Sequence, residues 1–119
     1  MAEGKLGRLV QVLQQRTNEQ KIVWEQTVNE DVFQVAFPSY TLQIGYRPGS
    51  DNQMDYFIRI LDDYNKTVEE ATDVDLQPEL GGVQQSYNTM DALYGSARRQ
   101  AMGVDKAIDS ILSELENDT

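Results

Sequence analysis

The sequence predicts an α+β fold in two layers: a short N-terminal helix, an antiparallel β-meander of four to five strands, and a long C-terminal amphipathic helix packed on one sheet face. Three observations carry that expectation. The spacing of apolar residues changes from three and four near the N-terminus to two through the middle, then returns to three and four at the end. The joints between the middle segments are short, as strands joined by tight turns require. A sheet with one apolar face needs a cover, and the two helices are the only amphipathic elements able to supply it.

The elements follow in order. Leu6, Leu9, Val10 and Leu13 make the i, i+3, i+4, i+7 set of a helix over about 3–17, which Asn18 is suited to end. From Lys21 the period becomes two. Ile22, Trp24 and Val28 predict a strand over about 21–28, and Phe33, Val35 and Phe37 one over about 31–37, joined through Asn29-Glu30-Asp31. Pro38-Ser39 interrupts the run. Tyr40, Leu42, Ile44 and Tyr46 then alternate with polar or small residues in a third strand, about 40–47. The stretch from Arg47 to Gln53 is turn chemistry throughout. A fourth strand, about 54–61, carries Tyr56, Ile58 and Ile60, and a fifth, about 67–72, has a solvated Glu69-Glu70 edge. The connection from Asp73 to Gln85 is the least regular part of the chain.

The last element is the most regular. Met90, Tyr94, Ala97, Ala101, Val104, Ile108, Ile111 and Leu115 are separated alternately by four and three residues, predicting one helix over about 86–116 that starts near Ser86 or Asn88. Acids at its end oppose the helix dipole. Such a helix would run about 46 Å at 1.5 Å per residue, whereas seven-residue strands span about 23 Å. It must therefore break, with Gly95 and Gly103 as the weak points, or be buried at its far end by something else. Ile108, Ile111, Leu112 and Leu115 are accordingly the candidate interface, against Leu6, Leu9 and Leu13 of the first helix or against a second copy of the chain.

Composition bounds the chemistry. With 119 residues the chain is read as a single domain, 1–119. Ten basic against twenty acidic residues give a net charge of −10, whose field repels nucleic-acid phosphate and anionic lipid, so neither is an expected partner. No cysteine and no histidine occur, which removes thiolate chemistry, Ser-His-Asp triads and His- or Cys-ligated metals. No cofactor is expected and no phosphate-binding loop appears. The absence of cysteine fits a reducing compartment, and no stretch approaches the length of a signal or membrane-spanning segment, so a cytoplasmic location is the expectation.

A few residues nevertheless invite a functional reading. Trp24, Tyr40, Tyr46, Tyr56 and Tyr94 are candidates to line a pocket between helix and sheet, although core aromatics look the same in sequence. Arg98-Arg99, the only adjacent basic pair, is a candidate anion anchor; the plainer reading is an ion pair with Asp91, Asp105 or an acidic turn. Asp62-Asp63 and Asp73-x-Asp75 could supply paired carboxylates, yet they sit in turns where Asp bonds the local backbone. Residues 73–79 alternate oxygen ligands but hold a proline where a calcium loop needs glycine. Asn65-Lys66-Thr67 and Asn117-Asp118-Thr119 match the glycosylation pattern without any secretory context.

The order helix, meander, long helix is similar in layout to helix-grip folds and to small acidic secretion chaperones, a likeness that by itself carries no function. The expected role is a non-catalytic protein–protein interaction module of adaptor, chaperone or inhibitor type, with a protein partner or a homodimer formed through the C-terminal helix. The alternative is a helix-grip-like binder of a small apolar or aromatic ligand.

Overall fold

The structure, a computed structural model, describes residues 4–49 and 53–117. It is α+β. In chain order the elements are α1 (Lys5–Asn18), β1 (Glu25–Gln26), β2 (Val32–Ala36), β3 (Thr41–Pro48), β4 (Met54–Leu61), β5 (Thr67–Thr72), α2 (Gln77–Leu80), α3 (Val83–Met102) and α4 (Val104–Glu116). The strands form one sheet in the sequential order β1-β2-β3-β4-β5, every neighbour antiparallel.

Period-two alternation decides the faces of the sheet. Phe33, Val35, Leu42, Ile44, Tyr56, Ile58 and Ala71 are buried on the side that α1 and α3 cover, where Val10, Leu13, Met90, Leu93 and Ala97 meet them. The other face covers itself. Gln34, Gln43, Arg59 and Glu70 lie in register across it, with Arg59 bonding Glu70 at 2.7 Å and Gln43 at 3.1 Å, and Arg47 bonding Glu70 at 2.8 Å. Both guanidinium groups stack over the Phe57 ring, at 4.6 and 4.7 Å. Phe57 in turn lies over Gly45, where any Cβ would come within 2.3 Å of the ring. Two arginines hold the Glu70 carboxyl below the ordinary carboxylate range.

The first strand is far shorter than its alternation predicts. Only Glu25 and Gln26 pair with β2. Upstream, the Gln100 side chain of α3 accepts the Trp24 N–H and donates to the Ile22 carbonyl at 3.0 Å, so a side chain satisfies the backbone that a ladder would have used. Val23 and Val28 are consequently exposed, while Trp24 is 2% exposed and donates its indole N–H to Thr17 Oγ1 at 2.9 Å. Downstream of the sheet, the connection expected to be irregular contains α2; its Leu80 and Leu76, the residue before it, enter the core beside α1.

The long C-terminal helix is two helices. Gly95 stays helical, but Gly103 adopts φ 64° and ψ 39°, a left-handed conformation that L side chains resist, and the chain restarts as α4. The start also differs: α3 begins at Val83, and Ser86 is buried inside it, its hydroxyl bonding the Asp73 carbonyl at 2.6 Å. Arg99 pairs with Asp105 across the Gly103 joint. α1 likewise runs one residue past the expected end, to Asn18; its expected beginning at residue 3 lies outside the described residues.

Among the described residues α4 packs on no element but α3 and buries none of its own side chains. The described molecule is correspondingly elongated, 62 × 33 × 27 Å, with a radius of gyration of 16.1 Å against about 13.5 Å for a compact chain of this length. Cover of the far helix by Leu6, Leu9 and Leu13, one of the two arrangements the stripe allowed, is not what the chain does: those residues pack with the core beneath α1, and α4 extends past it.

Candidate functional site

The length mismatch between helix and sheet creates the most conspicuous surface feature. Once α3 has crossed the sheet, the remaining heptad positions have nothing beneath them. Ile108, Ile111, Leu112 and Leu115 follow the i, i+3, i+4, i+7 rule, so they share one face of α4. They are 46%, 59%, 47% and 66% exposed. Full burial of such a side chain is worth about 1.5–3 kcal/mol, a stabilisation this face leaves unrealised in water. All four residues of the expected interface are thus together.

The charges on α4 are arranged about that face. Asp105, Asp109, Glu114 and Glu116 stand beside the stripe, whereas the one base, Lys106, lies on the opposite side of the helix. Asp109, Glu114 and Glu116 have no partner among the described residues; Asp105 is shared with Arg99.

The aromatic candidates do not line one pocket. Trp24 is core. Tyr56 is buried, donates its hydroxyl to Asp91 and stacks with Tyr46, Tyr87 and Tyr94 at centroid separations of 4.8, 5.4 and 5.4 Å. These rings fill the space between sheet and α3 with one another. Burial, then the adjoining Asp91 carboxylate, raises the Tyr56 hydroxyl above the ordinary phenol range, so it is a fixed donor, not an acid. Tyr40 is elsewhere, half exposed at the β2–β3 turn beside Phe37.

Tyr94 and Arg98, one turn apart on α3 as helical spacing predicts, face a cleft that the sequence did not expose. They border a cleft of about 310 Å³ with Phe33, Met102, Glu30 and Asp31. The Tyr94 ring lies 5.7 Å from Phe33, and its hydroxyl is pushed upward by burial and then by Asp31, with Arg98 opposing. Arg98 has no ion-pair partner among the described residues, in contrast to Arg16, Arg47, Arg59 and Arg99. The adjacent basic pair is therefore split in use, Arg99 bracing the helix joint and Arg98 facing the cleft.

The carboxylate pairs serve the backbone. Asp62 accepts the N–H groups of Tyr64 and Lys66 in its own turn, and Asp75 accepts that of Thr72. Asp73 is buried and accepts the Tyr56 N–H at 3.0 Å. Burial, reinforced by Asp55 and Asp75, raises its pKa. Because the folded state then holds the proton more tightly than the unfolded chain, this group's contribution to stability is complete below the unfolded value of about 3.9 and is lost as the pH rises. Asp73→Asn keeps an acceptor for Tyr56 and removes the charge, so its stability relative to the parent should grow from about pH 4 toward neutrality; urea titrations at several pH values check this, and a constant difference would contradict it. Among the described residues no group of three or more carboxylates is placed to hold a metal ion, and no helix is long and apolar enough to cross a membrane.

No protein-family model, no curated protein and no solved structure matches this chain. The functional reading therefore rests on its own surface.

Proposed function

We propose that the protein is a non-catalytic interaction module that presents α4 to another protein chain. The observation that carries this reading is the apolar face of Ile108, Ile111, Leu112 and Leu115 on a helix that buries nothing at home. Recognition by an amphipathic helix uses this pattern of i, i+3, i+4 and i+7 anchors. The net charge of −10 favours a protein partner over nucleic acid or an anionic membrane. Ile111→Asp tests the reading. A presented helix tolerates the substitution in the dilute monomer, whereas a helix that packs on its own domain does not, and a large loss of monomer stability would end the proposal.

A second reading, a binder of a small aromatic ligand, is favoured by one specific observation: the unpaired Arg98 and the Phe33–Tyr94 rings border the same cleft of about 310 Å³, at the lower end of ligand-pocket sizes. An aromatic carboxylate would set its ring on Phe33 and its charge on Arg98. Phenylacetate is a suitable probe. Titration followed by NMR should shift the Phe33, Tyr94 and Met102 signals, and Arg98→Leu should weaken binding at least tenfold; no shifts, or equal affinity in the variant, would dismiss it.

A further inference from the structure

α1 and α4 carry opposite charges, and beside Arg16 and Asp105, which suit their own helix ends, each carries others at the end its dipole disfavours. α1 (KLGRLVQVLQQRTN) holds three bases and no acid, with Lys5 and Arg8 in its first turns. α4 (VDKAIDSILSELE) holds four acids and one base, with Glu114 and Glu116 in its last turn. Bases at a helix N-terminus and acids at a C-terminus each oppose the macrodipole. A chain that breaks a local rule in two places, with matching signs, has a compensation in view. Lys5, Arg8, Asp109, Glu114 and Glu116 are exposed and have no partner among the described residues. Among the described residues α1 and α4 do not pack on one another: only their near ends, Thr17 and Asn18 against Asp105 and Lys106, border one cleft, and α4 then runs out beyond α3.

Beside α1 lies a receptor for the apolar part of α4. Leu9, Phe37, Tyr40, Leu42 and Ile60 wall a cleft of about 220 Å³ that exposes apolar surface only. An apolar cavity of about 150 Å³ takes a benzene, so this one admits an isoleucine or leucine side chain. By helical periodicity Lys5 and Val12 share the Leu9 face of α1. Residues 36–45, which form the opposite wall, bear no charge at all. An apolar slot with Lys5 on its α1 side and Glu69, the cross-strand neighbour of Ile60, on its sheet side thus faces outward on a chain whose α4 is an apolar stripe with an acidic rim.

We infer that the occupant of this slot is α4 of a second copy, so that two chains exchange their C-terminal helices reciprocally, the acidic end of each α4 lying against the basic start of the partner's α1. This rests on the reading of α4 as a presented helix and names its partner. Interface size favours reciprocal exchange over a simple seam between two α4 helices. A stable interface takes about 20–30 residues a side, and α4 has 13. Giving one helix and receiving another brings each copy into that range, and the two contacts are the same by twofold symmetry.

The test is a charge exchange read by light scattering over a concentration series, with circular dichroism to show that each variant is folded. The parent should be a dimer. Lys5→Glu with Arg8→Glu, exposed changes that also suit the α1 dipole, should weaken it at least tenfold, as should Asp109→Lys with Glu116→Lys. All four together should restore it, and Tyr40→Asp should abolish it. A dimer indifferent to the α1 changes and to Tyr40→Asp, yet lost in Ile111→Asp, would overturn the exchange and leave α4 as the presented helix. A monomeric parent at every concentration would overturn it as well. Marked destabilisation of the dilute monomer by Ile111→Asp would instead remove the underlying reading.

Discussion

Trp24→Ala is expected to cost about 3 to 5 kcal/mol of folding stability. The indole sits in the cluster that joins α1, α3 and the sheet, with its N–H donated to Thr17 Oγ1 and its backbone N–H taken by Gln100. Truncation leaves a large void where three elements meet, and these have no reason to collapse onto it. At an unfolding entropy of about 2.1 cal/mol/K per residue, a chain of 119 residues should lose about 12 to 20 °C in Tm. Thermal and urea unfolding both measure it. A near-neutral result would place the ring outside the core and dissolve the link between α1 and α3 described above.

Ile111→Asp should do the reverse: it should leave the domain folded and remove its association. Ile111 is 59% exposed and, among the described residues, α4 does not pack on α1 or the sheet. In dilute solution the variant should unfold within about 0.5 kcal/mol of the parent, as surface substitutions do. At high concentration the parent should gain stability by mass action and the variant should not. The comparison is therefore made at both concentrations by urea unfolding, and a variant that is several kcal/mol weaker when dilute would show that α4 is held by its own chain.

How much of this was legible in the sequence depends on where each element's backbone bonds go. Strands 54–61 and 67–72 are observed as Met54–Leu61 and Thr67–Thr72 because alternation, turn residues and ladder pairing all agree there. The first strand shrinks to Glu25–Gln26 because Gln100, 76 positions from Trp24, satisfies the preceding backbone. No local pattern encodes so distant a side chain. The heptad spacing runs through Gly103 without a stumble, so periodicity alone could not show the joint; the glycine itself was the signal, and helix length against strand length said that something must give. Leu76 and Leu80 were hidden in the irregular connection because α2, Gln77–Leu80, is a single turn, too short for a periodicity to register.

The candidate site divides in the same way. Ile108, Ile111, Leu112 and Leu115 were readable because a helix face is a local property. The cleft that joins Arg98 and Tyr94 to Phe33 and Asp31 was not, since it depends on how α3 crosses β2. The five pocket aromatics separate into core, stack and edge for the same reason: residue type shows that a ring wants company, and only the crossing of α3 over the sheet shows which rings meet.

The central claim, that the apolar face of α4 is covered by another chain and specifically by a second copy, is tested most directly by the solution mass of the parent protein. Light scattering from low to high concentration should show a monomer–dimer equilibrium ending at twice the chain mass of 13.5 kDa. A mass that stays at one chain throughout would contradict the account and leave the α4 face without its proposed cover.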